Sequence, residues 1–370
     1  MTESLQKAAP DAPLFIAVDQ EGGRVSRLAP PFTQFPPART LGHCDSVDLT
    51  YSCAEAMAKE LAAVGINMNF APVLDVDTNP KNPIIGDRAF GASPTLVSKH
   101  GLATIAALHD QRVIACGKHF PGHGDTAADS HKTLPRVDHS LHRMADLELK
   151  PFIHAVENRL HAIMTAHVLY TKLDEKYPAS LSKKIISQLL RKTIQFEGLV
   201  VTDDLEMKGI TDGFTVPEAA VRAVQAGSDL ILVCHSLDQQ KAVLEALIHA
   251  VEKGTITQER LNESLSRILS LKERFLLPHQ APQPKKVKQV VGCEAHRSLV
   301  EEIEKRGETM PVRGVKKIRL ILCLSAFRIS SVSIQSDHAA LERKPKPAML
   351  NSPMDCCGTD SDFHRSLPPP

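Results

Sequence analysis

The sequence predicts an α/β fold of the (β/α)8-barrel type, on three observations. Short apolar runs alternate with segments of helical spacing along the first two thirds of the chain. The runs are almost continuously apolar, as in parallel strands covered on both faces. Titratable side chains gather at their C-terminal ends, where such a barrel keeps its active site.

The runs are LFIAVD (14–19), INMNFAPVLD (66–75), VIACGKH (113–119), AIMTAHV (162–168), GLVVTDD (198–204) and SDLILVC (228–234). Between them lie helix-patterned stretches such as DLTYSCAEAMAKELAAVG, PTLVSKHGLATIAALHDQ and HSLHRMADLELKPFIHAVENR. Five of the six runs end in or near Asp19, Asp75, His119, His167 or Asp203. An open doubly wound sheet also binds ligands at strand ends, but it carries a glycine-rich phosphate turn after its first strand, and DQEGGRVSR lacks that spacing. The barrel is therefore favoured. Six runs fall two short of the eight that closure needs, so the barrel is expected to be N-terminally incomplete.

Residues 1–277 are expected to form this barrel and the Pro-rich PHQAPQPKKVKQ region, 278–290, a linker. Residues 291–327 hold a helix-like VGCEAHRSLVEEIEKRG and an alternating IRLILCLSAF, the remnant of a second domain. The polar, Pro-rich tail 328–370 is expected to be disordered.

Forty-four Lys and Arg against 43 Asp and Glu leave a formal charge of +1, so no general field favours nucleic acid or an anionic membrane. No apolar run reaches the ~20 residues needed to span a bilayer, and MTESLQKAAPDAP lacks the regions of a signal peptide. The chain as written reads as cytoplasmic, unless an export signal precedes it. Eight cysteines form neither a CxxC pair nor a short-spaced zinc pattern and read as reduced thiols.

The chemistry concentrates in KHFPGHGDTAADSH, 118–131. A metal site would use His119, His123, His131 and Asp129, but Pro121, Gly122 and Gly124 break the helix on which an i, i+4 histidine pair works. A phosphate cradle lacks the GxxxxGK[ST] pattern. Acid/base work suits the spacing better. In Asp129-Ser130-His131, residues two apart share one side of an extended loop, so the carboxylate can accept a hydrogen bond from one ring nitrogen and aim the other outward. The bland alternative is a turn-capping Asp129 beside a surface His131. His123 and Asp125 are expected to bond the loop's own backbone. In GLVVTDDLEM, neighbouring strand residues face opposite sides, so one of Asp203 and Asp204 points into the pocket while the other caps a helix starting near Leu205.

AVDQEGGRVSRL, NFAPVLDV, GDRAFG, GKHFPGHGDTAADSH, TAHV and VVTDDLEMKG, in this order, resemble the glycoside hydrolase family 3 β-N-acetylhexosaminidases of bacterial cell-wall recycling, over about residues 13–277. The resemblance implies a TIM barrel that removes terminal, non-reducing β-linked N-acetylglucosamine with retention, without metal or organic cofactor. It implies Asp203 as nucleophile and His131 as acid/base, held by Asp129 on a mobile loop. Asp19, Arg27, Arg88, Lys118 and His119 would contact sugar hydroxyls. It also implies two βα elements ahead of the VDQEGG strand. The expected partner is an amino-sugar oligosaccharide, with no nucleic acid and no membrane span. The absence of Trp and the 4% aromatic content make recognition mainly polar. The alternatives are a β-N-acetylglucosaminide phosphorylase on the same scaffold and an inactive sugar-binding protein.

Overall fold

A computed structural model describes residues 1–9, 12–130, 132–278 and 281–309. His131, predicted as the acid/base, and residues 310–370, with the predicted strand at 318–327 and the tail, lie outside the described residues.

Six parallel strands follow one another in chain order: β1 (Ala17–Val18), β2 (Met68–Asn69), β3 (Ile114–Phe120), β4 (Ala162–Thr165), β5 (Leu199–Asp204) and β6 (Leu230–Leu232). Each coincides with one of the six apolar runs, β3 running one residue past the end of its run, and among the described residues they form a barrel-type wall with β1 and β6 outermost. The two-residue side-chain period sorts the wall into two layers. Ala115, Ile163 and Val200 face the crossover helices, while Ile114, Cys116, Ala162, Met164, Leu199 and Val201 pack with Leu271, Phe275 and Leu276 of the helix Gln258–Leu276. The central strands are buried along their length, whereas β1 and β6 are partly exposed.

The crossovers are helical because their sequences have apolar stripes and good caps. Ser46 Oγ accepts the Leu49 N–H before Val47–Ala63, and Ser93 Oγ that of Leu96 before Pro94–Asp110, whose Pro94 occupies the first turn. The predicted helix across 139–159 divides into Leu141–Asp146 and Lys150–Glu157.

Within the stretch expected to be a linker, Pro284–Val290 is a short helix, and the helix Glu294–Thr309 lies against Ala38–Cys44 and Val47–Ala63. Val300 and Ile303 are buried there. Glu60, 2% exposed, is the polar anchor. Its carboxylate accepts from Thr33 N–H at 3.0 Å, Thr33 Oγ1 at 2.6 Å, Gly292 N–H at 3.0 Å and His296 Nδ1 at 2.8 Å. Among the described residues, no helix is long and apolar enough to cross a membrane.

Candidate active site

The rim at the C-terminal ends of the strands is built from buried and half-buried charges that pair with one another. Past β1 the chain turns into the antiparallel pair Gln20–Gly22 and Val25–Ser26. Asn69 at the end of β2 fixes this turn, accepting the Gln20 N–H at 3.0 Å and donating to its carbonyl at 2.8 Å. Gly22 has φ 96°, and a Cβ there would lie 2.3 Å from the Pro36 carbonyl oxygen, so only glycine lets the hairpin close. The result presents Asp19 and Glu21 on the same side.

Lys118 reaches both carboxylates from β3. Its Nζ lies 2.5 Å from Asp19 Oδ1 and 2.6 Å from Glu21 Oε1. Arg88, from the short turn Gly86–Arg88, clamps Glu21 with Nε and Nη2, each at 2.8 Å. Burial raises the Glu21 carboxyl, but Lys118 and Arg88 outweigh it and hold it at about 2. Burial likewise works against the Lys118 ammonium, yet Glu21 and Asp19 raise it above the usual lysine value. Three predicted sugar contacts, Asp19, Arg88 and Lys118, are thus brought together. Arg27 belongs to the same hairpin, where its backbone N–H bonds Gln20 Oε1 at 2.9 Å and the residue is exposed. Arg24 ties the hairpin to the neighbouring turn, through Asp87 at 2.8 Å.

His119, the next residue on β3, is held by fully buried Asp75. Oδ2 lies 2.8 Å from His119 Nδ1, and the same carboxylate accepts the backbone N–H groups of His119 at 3.2 Å and His123 at 2.6 Å. Asp75 thus orients the His119 ring. Burial raises its carboxyl, but His119 and His123 bring it below the ordinary value.

Asp203 closes the rim from β5, with Oδ1 accepting the Asp204 N–H at 2.8 Å. Burial pushes the carboxyl up. The imidazoles of His167 and His119, the Asp204 N–H and Lys118 pull it down further, leaving it ionised. His167 is fully buried, with Nδ1 2.7 Å from Ser180 Oγ and Nε2 2.9 Å from the Asp204 carbonyl. The carbonyl can only accept, so Nε2 carries the proton, and burial pushes the ring toward its neutral form.

Asp204 faces away from Asp203, as strand alternation requires, but it caps no helix at Leu205. Its Oδ1 accepts from Glu206 and Cys234 N–H, both at 3.2 Å, and the next helix is Lys208–Thr211. Glu206 serves the start of Leu237–Glu252 by accepting the Ser236 N–H at 3.0 Å.

The loop after β3 is pinned through side chains, where backbone bonding was expected of His123 and Asp125. His123 bonds Thr126 Oγ1 at 2.8 Å and Ser130 Oγ at 3.3 Å, and burial pushes its ring down to about 4. Asp125 meets His139 at 2.5 Å and Arg143 at 3.6 Å. Asn82 spans the His123 and Gly124 carbonyls at 2.8 and 3.0 Å. At the far end, the Gly209 N–H donates to the Ser130 carbonyl at 2.9 Å, seating the Asp129-Ser130 segment against the turn that follows Asp203. Asp129 itself is half-buried.

Sequence reasoning passed over Glu21. Its signal was the two-residue separation from Asp19, which puts both on one side of an extended chain. Among the described residues, no group of three or more His, Cys, Asp or Glu side chains is placed to hold a metal ion.

A parallel α/β wall with a charged rim at its strand ends defines the class: a barrel-type catalytic domain. Residues 1–271 match the model for the glycosyl hydrolase family 3 N terminal domain, and the chain belongs to that family. It is 37% identical over 329 residues to beta-hexosaminidase A of Pseudoalteromonas piscicida, covering 82% of this chain and 55% of the relative. It is 40% identical over 273 residues to a beta-hexosaminidase of Idiomarina loihiensis, covering 72% and 81%. Among solved structures, a glycoside hydrolase family 3 beta-N-acetylglucosaminidase from Paenibacillus sp. superposes with a TM-score of 0.80 at 43% identity, covering 83% of this chain and 59% of that one. The chain thus spans little more than half the length of the first of these relatives.

Proposed function

We propose that this chain hydrolyses terminal, non-reducing β-linked N-acetylglucosamine with retention of configuration. The observation that carries the proposal is Asp203: an ionised carboxylate at the end of β5, on the rim that also holds the Asp19, Glu21, Lys118 and Arg88 network. The names of the relatives support the sugar. In this reading Asp203 attacks C1 and forms a glycosyl-enzyme ester. His131, oriented by Asp129, protonates the departing oxygen and then, neutral, activates the water that hydrolyses the ester. The docking of Ser130, the residue between them, on Gly209 supports this geometry, because it brings the segment beside the Asp203 turn. Asp19, Lys118, Arg88 and His119 bind the sugar by charge-assisted hydrogen bonds.

The test is release of an aryl leaving group from a β-N-acetylglucosaminide and a β-glucoside, with and without phosphate, followed by trapping with a fluorinated sugar analogue. Faster turnover of the amino-sugar, independent of phosphate, with the label on Asp203, is expected. Asp203→Ala should abolish turnover. A label on another residue would overturn the assignment, and phosphate-dependent product would replace hydrolysis by phosphorolysis.

A further inference from the structure

We propose that Glu21 is the positioning residue of the sugar site, aiming Arg88 and Lys118 while never touching the sugar itself. The inference rests on the glycosidase reading above and deepens it. The Glu21 side chain is only 4% exposed, and both its oxygens are engaged by the two cations. Lys118 is deeper still, at 2%, and Arg88 is at 11%, so each needs an anion to be tolerable there. Together with Asp19 the four groups are neutral in sum. Asp19, at 35% exposed, is the member that opens on the cleft.

Donor counting shows what Glu21 leaves available. A guanidinium has five N–H donors. Arg88 gives two to Glu21 and one to the Ile84 carbonyl at 3.3 Å, so two remain. An ammonium has three. Lys118 gives one to Asp19 and one to Glu21, so one remains. Three charged N–H groups are therefore directed before any ligand arrives, because the Glu21 backbone is pinned: Asn69 holds Gln20 on one side, and Gly22 closes against Pro36 on the other. Such preorganisation raises the yield of each sugar contact, since no side-chain ordering is left for the binding step.

A residue that only neutralised buried charge would affect every substrate equally, whereas a positioning residue acts through particular sugar hydroxyls. The experiment compares kcat and KM of the unaltered chain, Glu21→Gln and Glu21→Asp on an aryl β-N-acetylglucosaminide and on analogues lacking one ring hydroxyl in turn. Glu21→Gln turns an amide N–H toward the cations. It should lower kcat/KM on the full sugar by ~10- to 100-fold, the range for one charge-assisted hydrogen bond. The penalty should shrink toward unity on the analogue whose missing hydroxyl was the one served. Glu21→Asp keeps the charge and should recover part of the loss; it carries the same comparison if the Gln variant fails to fold by circular dichroism. An equal penalty on every analogue overturns the proposal. Turnover of the unaltered chain is scored first. If there is none, the glycosidase reading falls, and Glu21 is judged by the same comparison on calorimetric affinities for N-acetylglucosamine and its deoxy analogues.

Discussion

Asp75→Asn offers the sharpest probe of the rim, because the perturbation changes shape little and charge completely. The carboxylate is fully buried and accepts from His119 Nδ1, His119 N–H and His123 N–H, so it holds both a predicted sugar contact and the start of the loop. Asparagine keeps one acceptor and sets an N–H2 against at least one of those donors. Leaving buried donors without their charged acceptor costs ~1–3 kcal/mol or more, and the full burial of Asp75 argues for the upper end, about 3. With a urea m-value of ~3 kcal/mol/M, the unfolding midpoint should fall by about 1 M. Far-UV circular dichroism is the suitable signal, since the chain has no Trp. The pH dependence has a definite sign. The folded carboxyl lies below its ordinary value because His119 and His123 outweigh burial. Its contribution is therefore complete above the unfolded value of ~3.9 and is lost as pH falls through the lower folded value. The gap between the two proteins should close on the acid side. Equal midpoints near neutral pH, or a gap that widens toward acid, would refute the reasoning.

His131→Ala should retain much more activity on substrates with a good leaving group than on those with a poor one, because good groups depart without protonation. Equal losses on both would remove His131 from the acid/base role. Gly124→Ala places a Cβ 1.7 Å from the Val76 carbonyl oxygen, a clash with backbone that no side-chain rotation relieves. It should lower stability by ~1–3 kcal/mol, read as a fall in melting temperature, and an unchanged Tm would contradict the packing described. Asp229→Asn strips the buried carboxylate shared by Arg191 at 2.5 Å, Arg267 at 3.1 Å and Arg260 at 3.2 Å. A loss of ~3–5 kcal/mol is expected by urea unfolding, and a neutral effect would show that the three arginines are solvated without it.

The strands were legible because burial on both faces leaves uninterrupted apolar runs: five of the six fall inside the segments read from sequence, and β3 exceeds its segment by one residue. The end of β5 was legible only in part. Alternation separates Asp203 from Asp204, but the oxygen expected to cap a helix instead accepts the N–H of Cys234, thirty residues on. Local sequence carries no trace of such a partner. Glu21 was missed for the same reason, since its role depends on Arg88 and Lys118 arriving from two other segments. Arg27 and Arg24 show the converse. Both sit in the same motif and both are exposed, and only the hairpin geometry decides that Arg24 pairs with Asp87 of the neighbouring turn. The stretch 278–290 looked like a spacer because proline and lysine dominate it. Proline at the first turn of Pro284–Val290 starts a helix as readily as it ends one.

The anchoring of Glu294–Thr309 by Glu60 bears on how this protein can be dissected. A chain cut after residue 277 would keep Glu60 in its pocket and remove two of the four groups that satisfy it. It would also bare the apolar seats of Val300 and Ile303, each worth ~1.5–3 kcal/mol when filled. The shortest piece fit for the assays above therefore runs at least through Thr309, and a version ending at 277 should melt lower and bind more hydrophobic dye.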